Sequence, residues 1–397
     1  MTVFRDFSLQ STFMGLLVAF VGFASSFAVV LQGIKAVGAS DTQAATALMV
    51  LSIAMGLSAV VLSLYTKIPV SVAWSTPGAA LLATSGSIPG GFAVAVGAFI
   101  LCAVLFIIAG MWKPLERAVN LIPASLANAM LAGILLGLCL APVKAVSISP
   151  LPALIIVVTW IVAGRIHKLL AVPAALVALI LIMAFTLEVS EQSKDLLFNS
   201  VVAPFTLVTP EFTLSGFIGI ALPLFIVTMA SQNVPGIAIL RAHNYEPKAG
   251  ALFSATGIFS ACSAFFGGHA INLAAITAAM CANEDAHPDK HRRYWAAIIS
   301  GIGYILLGLI SGLITAFVSI SPGILIEAVA GLALIGAFSN SALSAFSDPD
   351  KREAAAVTFL VTASGVTFFG VSGAFWGLLA GGIILLITQL IQKKKTV

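Results

Sequence analysis

The sequence predicts an all-α polytopic membrane protein in which fourteen transmembrane segments form two inverted repeats of seven. Three observations lead to this fold class: the composition, the distribution of basic residues, and ordered matches between the two halves of the chain. Of the 397 residues, 60% are hydrophobic and 9% are charged, whereas a soluble domain carries about 25% charged residues. This composition predicts a single membrane domain, because roughly 20 apolar residues suffice for each crossing.

Apolar runs separated by polar residues mark the predicted spans. They lie near residues 12–33, 44–65, 71–84, 92–111, 118–139, 152–164, 170–187, 215–232, 247–266, 270–282, 293–318, 323–342, 353–369 and 372–391. The first run has no small-residue cleavage site with a polar exit, so we interpret it as the first helix rather than a removed signal peptide. Spans 3 and 10 are too short and too interrupted to be ordinary helices.

The basic residues predict the orientation of the chain. Lys and Arg accumulate in cytoplasmic loops. If both termini are cytoplasmic, only Lys35, Lys144 and Lys194 of the 19 Lys and Arg residues face the outside. One miscounted span would invert the side of every later loop. The distribution therefore predicts a multi-pass inner-membrane protein with both termini in the cytoplasm.

The two halves of the chain, residues 1–200 and 201–397, are predicted to be structural repeats. Short matches occur in the same order in both halves: Ala24-Ser25 with Ala230-Ser231, Thr76 with Asn272, and Ala132-Gly133 with Ala330-Gly331. Because seven spans is an odd number, the second repeat must enter the membrane from the opposite side. This inverted arrangement is typical of secondary transporters.

Spans 3 and 10 each contain a predicted break. In span 3, a β-prone run that ends at Trp74 precedes Ser75-Thr76-Pro77, which is a helix-start pattern. In span 10, Gly267-Gly268 interrupts the chain, and Asn272 is a candidate helix cap. Two half-helices would then point their N-termini, which attract anions, at one another. The alternative is a pair of Pro or Gly kinks within continuous helices.

A third polar cluster closes span 8, where Gln232 and Asn233 offer amide donors and acceptors. The alternative interpretation of this cluster is a C-terminal helix cap at the cytoplasmic interface. Small residues also recur at helical spacing, as in Gly133-x-x-x-Gly137. This spacing lets membrane helices pack closely, and we interpret it as ordinary helix packing.

Four stretches of the sequence resemble the benzoate/proton symporter (BenE-like) family. They are Ala73–Ala80 (AWSTPGAA), Met229–Gly236 (MASQNVPG), Ala274–Ala279 (AAITAA) and Ala286–Lys290 (AHPDK). The resemblance extends over nearly the whole chain, and the order of three long motifs makes it specific.

The resemblance implies a fold shared with nucleobase and sulfate transporters. Spans 1–4 and 8–11 would form a core domain, and spans 5–7 and 12–14 a gate domain. Substrate would be held between the breaks of spans 3 and 10 and span 8. The candidate substrate-binding residues are Ser25, Trp74, Ser75, Thr76, Gly78, Ser231, Gln232, Asn233 and Asn272.

The resemblance further implies import of a small aromatic carboxylate with a proton by alternating access. Nucleobase carriers have acidic residues on spans 8 and 10, where this chain has the neutral residues Gln232, Ile271 and Asn272. A neutral site rich in donors suits a carboxylate better than a uracil ring. His269 and Glu327 are the candidate proton carriers, and the alternatives are a packing histidine, an interfacial glutamate, or a proton carried by the substrate itself.

Other functions remain open at this point. An uncoupled anion channel, or a nucleobase or inorganic-anion transporter, would share the fold. An enzyme is disfavoured, because the metal-ligand types His287, Asp289 and His291 lie in a basic loop and no catalytic cluster accompanies them. The spacing of the four cysteines argues against a disulfide framework or a metal site. We expect no cofactor and no nucleic-acid partner, and both a monomer and a homodimer are compatible with the sequence.

Overall fold

The fold is mostly helical in the computed structural model, which describes residues 7–86, 90–112, 123–186, 201–366, 368 and 373–395. The helices are α1 (Leu9–Ala24), α2 (Phe27–Ala36), α3 (Asp41–Thr66), α4 (Thr76–Ser85), α5 (Gly91–Met111), α6 (Ala124–Cys139), α7 (Ala141–Ile148), α8 (Pro150–Ile166), α9 (Ala171–Thr186), α10 (Leu214–Ala242), α11 (Ala249–Ala264), α12 (Ala275–Ala282), α13 (Tyr294–Leu309), α14 (Ser311–Ile320), α15 (Gly323–Phe346), α16 (Arg352–Ala363) and α17 (Gly373–Lys395). Short 3₁₀ turns occupy Lys168–Leu170, Lys290–Arg292 and Pro349–Lys351.

Apolar helices long enough to cross a membrane confirm a polytopic membrane protein. Within the described ranges there are eight: Leu9–Ala36, Asp41–Thr66, Gly91–Met111, Ala124–Ile148, Lys168–Phe185, Leu214–Ala242, Gly323–Phe346 and Gly373–Ile391. The pair α13 and α14, bent by 55°, makes a ninth if it counts as one span. Helices α4, α8, α11, α12 and α16 are shorter than these spanning helices. The count of fourteen crossings therefore stays a prediction.

Some predictions fall on residues that the structure does not describe. They include Lys194, the repeat boundary at residue 200, residues 118–122 of span 5, residue 187 of span 7, residues 367 and 369 of span 13, and residue 372 of span 14.

The first predicted span is not one straight helix, because α1 ends at Ala24 and α2 begins at Phe27. The hydroxyls of Ser25 and Ser26 both donate to the carbonyl of Gly22, at 3.2 and 3.1 Å. Serine side chains compete with the backbone for hydrogen bonds in this way and favour turns over helix. The break leaves both serines at the interior of the fold.

Two short strands join the predicted breaks of spans 3 and 10. Strand β1 (Val72–Trp74) pairs antiparallel with β2 (Ile271–Leu273), with Ala73 opposite Asn272. Two flanking hydrogen bonds extend the ladder: Ser75 N–H donates to the Ala270 carbonyl at 2.9 Å, and Ala274 N–H donates to the Ser71 carbonyl at 3.0 Å. The structure thus confirms extended backbone followed by a short helix at both breaks, and it excludes continuous kinked helices.

The helices pack in two groups around a shared apolar core. In one group, α13 packs against α1 and α3, α5 against α11, and α2 against α4. In the other group, α6 packs against α15 and α16, α16 against α17, and α8 against α9. Buried apolar residues of both groups form one continuous cluster. The strands and half-helices belong to the first group, and α6 of the second group contacts α4.

The first glycine of the Gly133-x-x-x-Gly137 pattern lies at a close helix contact. A Cβ atom at Gly133 would lie 2.7 Å from the Thr362 Cβ and 2.9 Å from the Phe359 carbonyl oxygen of α16. A Cβ atom at Gly137 would meet no described atom within 4 Å. Only the first position of this pattern therefore needs glycine for packing.

We expect Gly133→Ala to lower the melting temperature of the protein in detergent. Forcing an extra methyl group into a packed contact costs about 1–3 kcal/mol. Gly137→Ala is the matched control on the same helix, and it should raise the melting temperature because alanine is favoured over glycine in helices by about 1 kcal/mol. Equal melting temperatures for the two variants would contradict the packing described here.

Candidate functional site

A cavity of about 160 Å³ lies where both half-helices begin. Its walls come from the break between α1 and α2, from α3, β1, α4, α6, α10, α12, α13 and α15. The lining residues are Val21, Gly22, Ser25, Ser26, Met55, Ala73, Trp74, Thr76, Pro77, Leu135, Gln232, Ala274, Ala275, Ile276, Thr277, Met280, Tyr304, Ala333, Leu334 and Ala337. None of these described lining residues carries a formal charge.

The N-terminus of α4 is capped by its own chain. The helix begins at Thr76, but its cap is Ser75, one residue before the predicted Thr76. The Ser75 Oγ accepts from the Gly78 N–H at 3.0 Å and lies 2.7 Å from the Thr228 Oγ1. The first three residues of the helix are Thr76, Pro77 and Gly78. Pro77 has no N–H and the Gly78 N–H is bonded to Ser75, so only the Thr76 N–H lacks a partner among the described residues. This end of the cavity therefore has few free donors.

The N-terminus of α12 is different because Ala274 precedes it, and alanine has no side chain that can cap a helix. In the described part of the chain, the Ala275, Ile276 and Thr277 N–H groups make no hydrogen bond. All three residues line the cavity. Free N–H groups at a helix start carry partial positive charge and bind anions. The half-helix α12 is therefore the more electropositive of the two ends.

Asn272 does not cap α12, contrary to the sequence prediction. It lies in the middle of β2, and α12 begins three residues later. Its Nδ2 donates to the Leu273 carbonyl at 2.8 Å, and its buried Oδ1 has no partner among the described residues. The prediction failed because the strand extends one residue beyond Asn272.

Gln232 is the residue of the α10 polar cluster that lines the cavity. The helix does not end there, as the alternative interpretation required, but passes through a π-helical turn at Met229–Asn233 and continues to Ala242. The Asn233 Oδ1 accepts from the Leu273 N–H at 2.9 Å, and the Ser231 hydroxyl donates to the Val227 carbonyl at 2.5 Å. Asn233 therefore joins α10 to β2, whereas Gln232 faces the open space.

Trp74 provides a fixed aromatic wall for the cavity. Its indole Nε1 donates to the Ser26 Oγ at 2.8 Å, and its ring centroid lies 5.2 Å from that of Phe23. The indole is 2% exposed, so its orientation is set by packing as well as by the hydrogen bond. The break in the first span thus serves to hold this ring.

Of the predicted binding residues, Ser25, Trp74, Thr76 and Gln232 line the cavity. Ser75, Gly78, Ser231, Asn233 and Asn272 lie behind its walls and support the backbone around it. The sequence predicted an anion-attracting half-helix N-terminus in span 10, but with Asn272 as its cap rather than with three free N–H groups. Tyr304 and the α15 residues Ala333, Leu334 and Ala337 were not predicted. Their side chains are indistinguishable in sequence from ordinary packing residues, although the Ala330-Gly331 match did point to α15.

Neither predicted proton carrier lines the cavity. His269 is fully buried and its Nε2 donates to the Ser75 carbonyl at 3.0 Å. Its Nδ1 has no partner among the described residues. Glu327 is exposed on the surface of α15. The histidine therefore holds the start of α4 against the loop before β2.

Arg293 closes the other end of α12. It is 7% exposed, and its guanidinium donates to the carbonyls of Ala282, His287 and Pro288 at 2.7, 2.6 and 3.2 Å. A cation at a helix C-terminus stabilises the helix dipole, so Arg293 supports the same half-helix whose N-terminus faces the cavity. The nearby Tyr245 hydroxyl donates to the Lys290 carbonyl at 2.8 Å. Burial raises the pKa of Tyr245, and Arg293 partly offsets this shift.

The loop with metal-ligand residue types forms a compact turn. The His287 Nδ1 accepts from the Asp289 N–H at 3.0 Å, and the Asp289 Oδ1 accepts from the His291 N–H at 2.9 Å. Across the described ranges, no group of three or more His, Cys, Asp or Glu residues could hold a metal ion. These side chains stabilise the turn, and Arg293 connects the turn to α12 through its hydrogen bonds to the Ala282, His287 and Pro288 carbonyls.

Comparison with known proteins shows similarity along nearly the whole chain. Residues 5–387 match the family model described as benzoate membrane transport protein. The chain is 39% identical over 382 residues to the inner membrane protein YdcO of Escherichia coli (strain K12), with 96% of each chain covered. It is 32% identical over 381 residues to the benzoate membrane transport protein of Acinetobacter baylyi, covering 96% of this chain and 95% of that one.

Solved structures show similarity in the fold alone. The transmembrane domain of a cyanobacterium bicarbonate transporter, BicA, matches with a TM-score of 0.56 and 16% identity, over 96% of this chain and 98% of that one. The murine Solute Carrier 26 family member A9 anion transporter in the inward-facing state matches with a TM-score of 0.58 and 14% identity, over 95% of this chain and 68% of that one.

We expect Ala275→Pro to weaken binding of a small carboxylate such as benzoate by about 10- to 100-fold. Proline is tolerated at the first position of a helix but removes one free N–H, and a hydrogen bond to a charged group contributes about 1.5–3 kcal/mol. Ala275→Val is the control, because it adds similar bulk and keeps the N–H. Calorimetry on the purified variants measures the difference, and equal affinities for the two variants would exclude α12 as the anion-binding end.

We expect Arg293→Ala to lower the free energy of unfolding by at least about 3 kcal/mol, since it leaves three carbonyls without a donor at about 1–3 kcal/mol each. Lys290→Ala removes a neighbouring, exposed cation and should change the stability little. Thermal unfolding in detergent compares the two. Similar melting temperatures would show that the Arg293 contacts do not stabilise α12.

Proposed function

Because the chain belongs to the benzoate membrane transport protein family, we propose that it imports benzoate or a similar small aromatic carboxylate together with a proton. The chain is thus a membrane transporter and not an enzyme. It is a multi-pass protein, and its similarity to an Escherichia coli inner membrane protein supports an inner-membrane location. The observation that carries the proposal is the uncapped N-terminus of α12 in an uncharged, largely apolar cavity.

The size and lining of the cavity suit an aromatic acid. A cavity of about 150 Å³ accommodates benzene, and this one measures about 160 Å³. The ring would lie against apolar walls that include Trp74 and Leu334. The carboxylate would accept from the free N–H groups of Ala275, Ile276 and Thr277, with Thr76 and Gln232 as further donors.

The electrostatics favour a proton that travels with the substrate. Burying a carboxylate costs several kcal/mol. A helix N-terminus returns up to about 2 kcal/mol, and each hydrogen bond to the charged group about 1.5–3 kcal/mol. With two or three such hydrogen bonds, these gains about balance the cost and leave little surplus for carrying a bare anion through the apolar interior. Neutralisation by a proton removes most of the cost.

The substrate carboxylate is the proton carrier that we favour. His269 uses its Nε2 proton to hold the Ser75 carbonyl, at 3.0 Å. Glu327 is exposed on α15, away from the cavity lining. A carboxyl group has an ordinary pKa of about 4, and transfer into a cavity without a cationic side chain favours its neutral form.

Alternating access would move the two packing groups against one another. The cavity supports this proposal because its walls come from both: α1, α4 and α12 on one side, and α6 and α15 on the other. We propose that the first group is the core domain, that the second is the gate domain, and that they arise from two inverted repeats of seven crossings. The distribution of Lys and Arg supports cytoplasmic termini.

We expect an outside-acid pH gradient to accelerate benzoate uptake into proteoliposomes by about tenfold per pH unit, because external proton concentration rises by that factor. Initial rates are measured after subtraction of protein-free liposomes, since neutral aromatic acids cross lipid unaided. The Ala275→Pro variant should lose this difference, and the Ala275→Val variant should keep it.

An uptake rate that does not change with the imposed pH gradient would exclude proton coupling. Benzoate flux without accumulation against its concentration gradient would indicate an anion channel. If uracil or bicarbonate bound to the site and benzoate did not compete with it, the site would be assigned to a nucleobase or an inorganic anion instead.

A further inference from the structure

A second, larger cavity opens on the side of the fold between α8 and α9. It has a volume of about 730 Å³, Phe20 of α1 also lines it, and it shares no lining residue with the substrate cavity. Its lining is apolar except for Thr159. Small residues, among them Ala163 and Ala174, form a groove between the two helices.

The length of the groove matches one acyl chain. Its lining residues run from Ile155 to Ile166 on α8 and from Pro173 to Phe185 on α9, and Leu170 of the preceding 3₁₀ turn also lines it. At 1.5 Å per residue, these eleven and twelve steps span about 16 and about 18 Å. One leaflet of the hydrocarbon core is about 15 Å thick, half of roughly 30 Å. The groove therefore runs about as far as an acyl chain reaches into its leaflet.

Two basic side chains lie at the turn where the groove begins. Arg165 and Lys168 are exposed and adjoin the lining residues Ile166 and Leu170. Neither forms an ion pair with any residue that the structure describes. Basic residues at the cytoplasmic end of a groove between transmembrane helices bind anionic lipid headgroups.

We propose that this groove binds an anionic phospholipid, with one acyl chain between α8 and α9 and its phosphate at Arg165 and Lys168. A second copy of the chain is the less suitable occupant. A two-fold contact applies the same patch to itself, so it would bring two unpaired Arg165 and Lys168 pairs together and repel. The proposal does not depend on what the protein transports.

The site lies next to a contact between the two packing groups. Leu169, at the tip of the α8–α9 hairpin, packs against the cluster that contains Met280 and Cys281 of α12. A headgroup held by Arg165 and Lys168 flanks this contact. Bound lipid therefore stabilises the position of the hairpin tip against the half-helix.

Native mass spectrometry of the purified protein in detergent tests the proposal, with dioleoylphosphatidylglycerol, dioleoylphosphatidylcholine and glycerol phosphate as probes. We expect phosphatidylglycerol to bind the wild type, and the Arg165→Gln/Lys168→Gln variant to bind it about thirtyfold more weakly. Each basic residue near anionic lipid contributes about 1 kcal/mol, and 1.4 kcal/mol is a factor of ten. Lys144→Gln, an exposed cation on α7, should bind like the wild type.

Variants that fill the groove test the acyl-chain part. Ala174→Trp should reduce phosphatidylglycerol binding at least tenfold although both charges remain, and Val177→Trp serves if Ala174→Trp does not fold. The proposal would be overturned if phosphatidylcholine bound the wild type as tightly as phosphatidylglycerol does. It would also be overturned if the charge or groove variants bound phosphatidylglycerol as tightly as the wild type. Complete competition by glycerol phosphate would show a phosphate site without a chain. A lipid-free dimer that the groove variants dissociate would assign the groove to a second copy.

Discussion

The pairing of two three-residue strands is the constraint on which the rest of the structure depends. Backbone N–H and C=O groups inside a membrane must be satisfied by the protein, and neither break could satisfy its own. Pairing Val72–Trp74 with Ile271–Leu273 satisfies both. It also forces α4 and α12 to start at the same place, although almost 200 residues separate them. The proposed anion site is thus a consequence of how two interrupted segments satisfy their backbones.

The two half-helices are not equivalent at their N-termini, and this asymmetry assigns them different tasks. Ser75 and Pro77 leave α4 few free donors, whereas Ala274 leaves α12 uncapped. Arg293 reinforces the asymmetry by holding the C-terminal carbonyl of α12. A site built on backbone donors attracts an anion without a buried cationic side chain next to it. Such a site releases its substrate more readily than a fixed ion pair would, as a carrier requires.

Several buried polar residues support the strands rather than facing the cavity. His269 donates to the Ser75 carbonyl, Asn233 accepts from the Leu273 N–H, and Ser260 accepts from the Ile271 N–H at 2.8 Å. A polar residue in a membrane span is a functional hypothesis by default. In this protein many of them satisfy the backbone of the breaks, which explains why several predicted binding residues lie behind the cavity wall.

The sequence by itself determined the membrane class, the family and the positions of both breaks, because composition, helix-start residues and β-prone runs are local properties. It located Trp74 and Thr76 on the cavity for the same reason, and Gln232 through the polar cluster that closes predicted span 8. Only the tertiary structure decided that Ser75 caps α4, that Asn272 belongs to a strand, and that α10 continues past Asn233. It also revealed the free N–H groups of Ala275 to Thr277. Whether a backbone donor is free depends on every neighbour that could accept from it, and those neighbours are brought together only by folding.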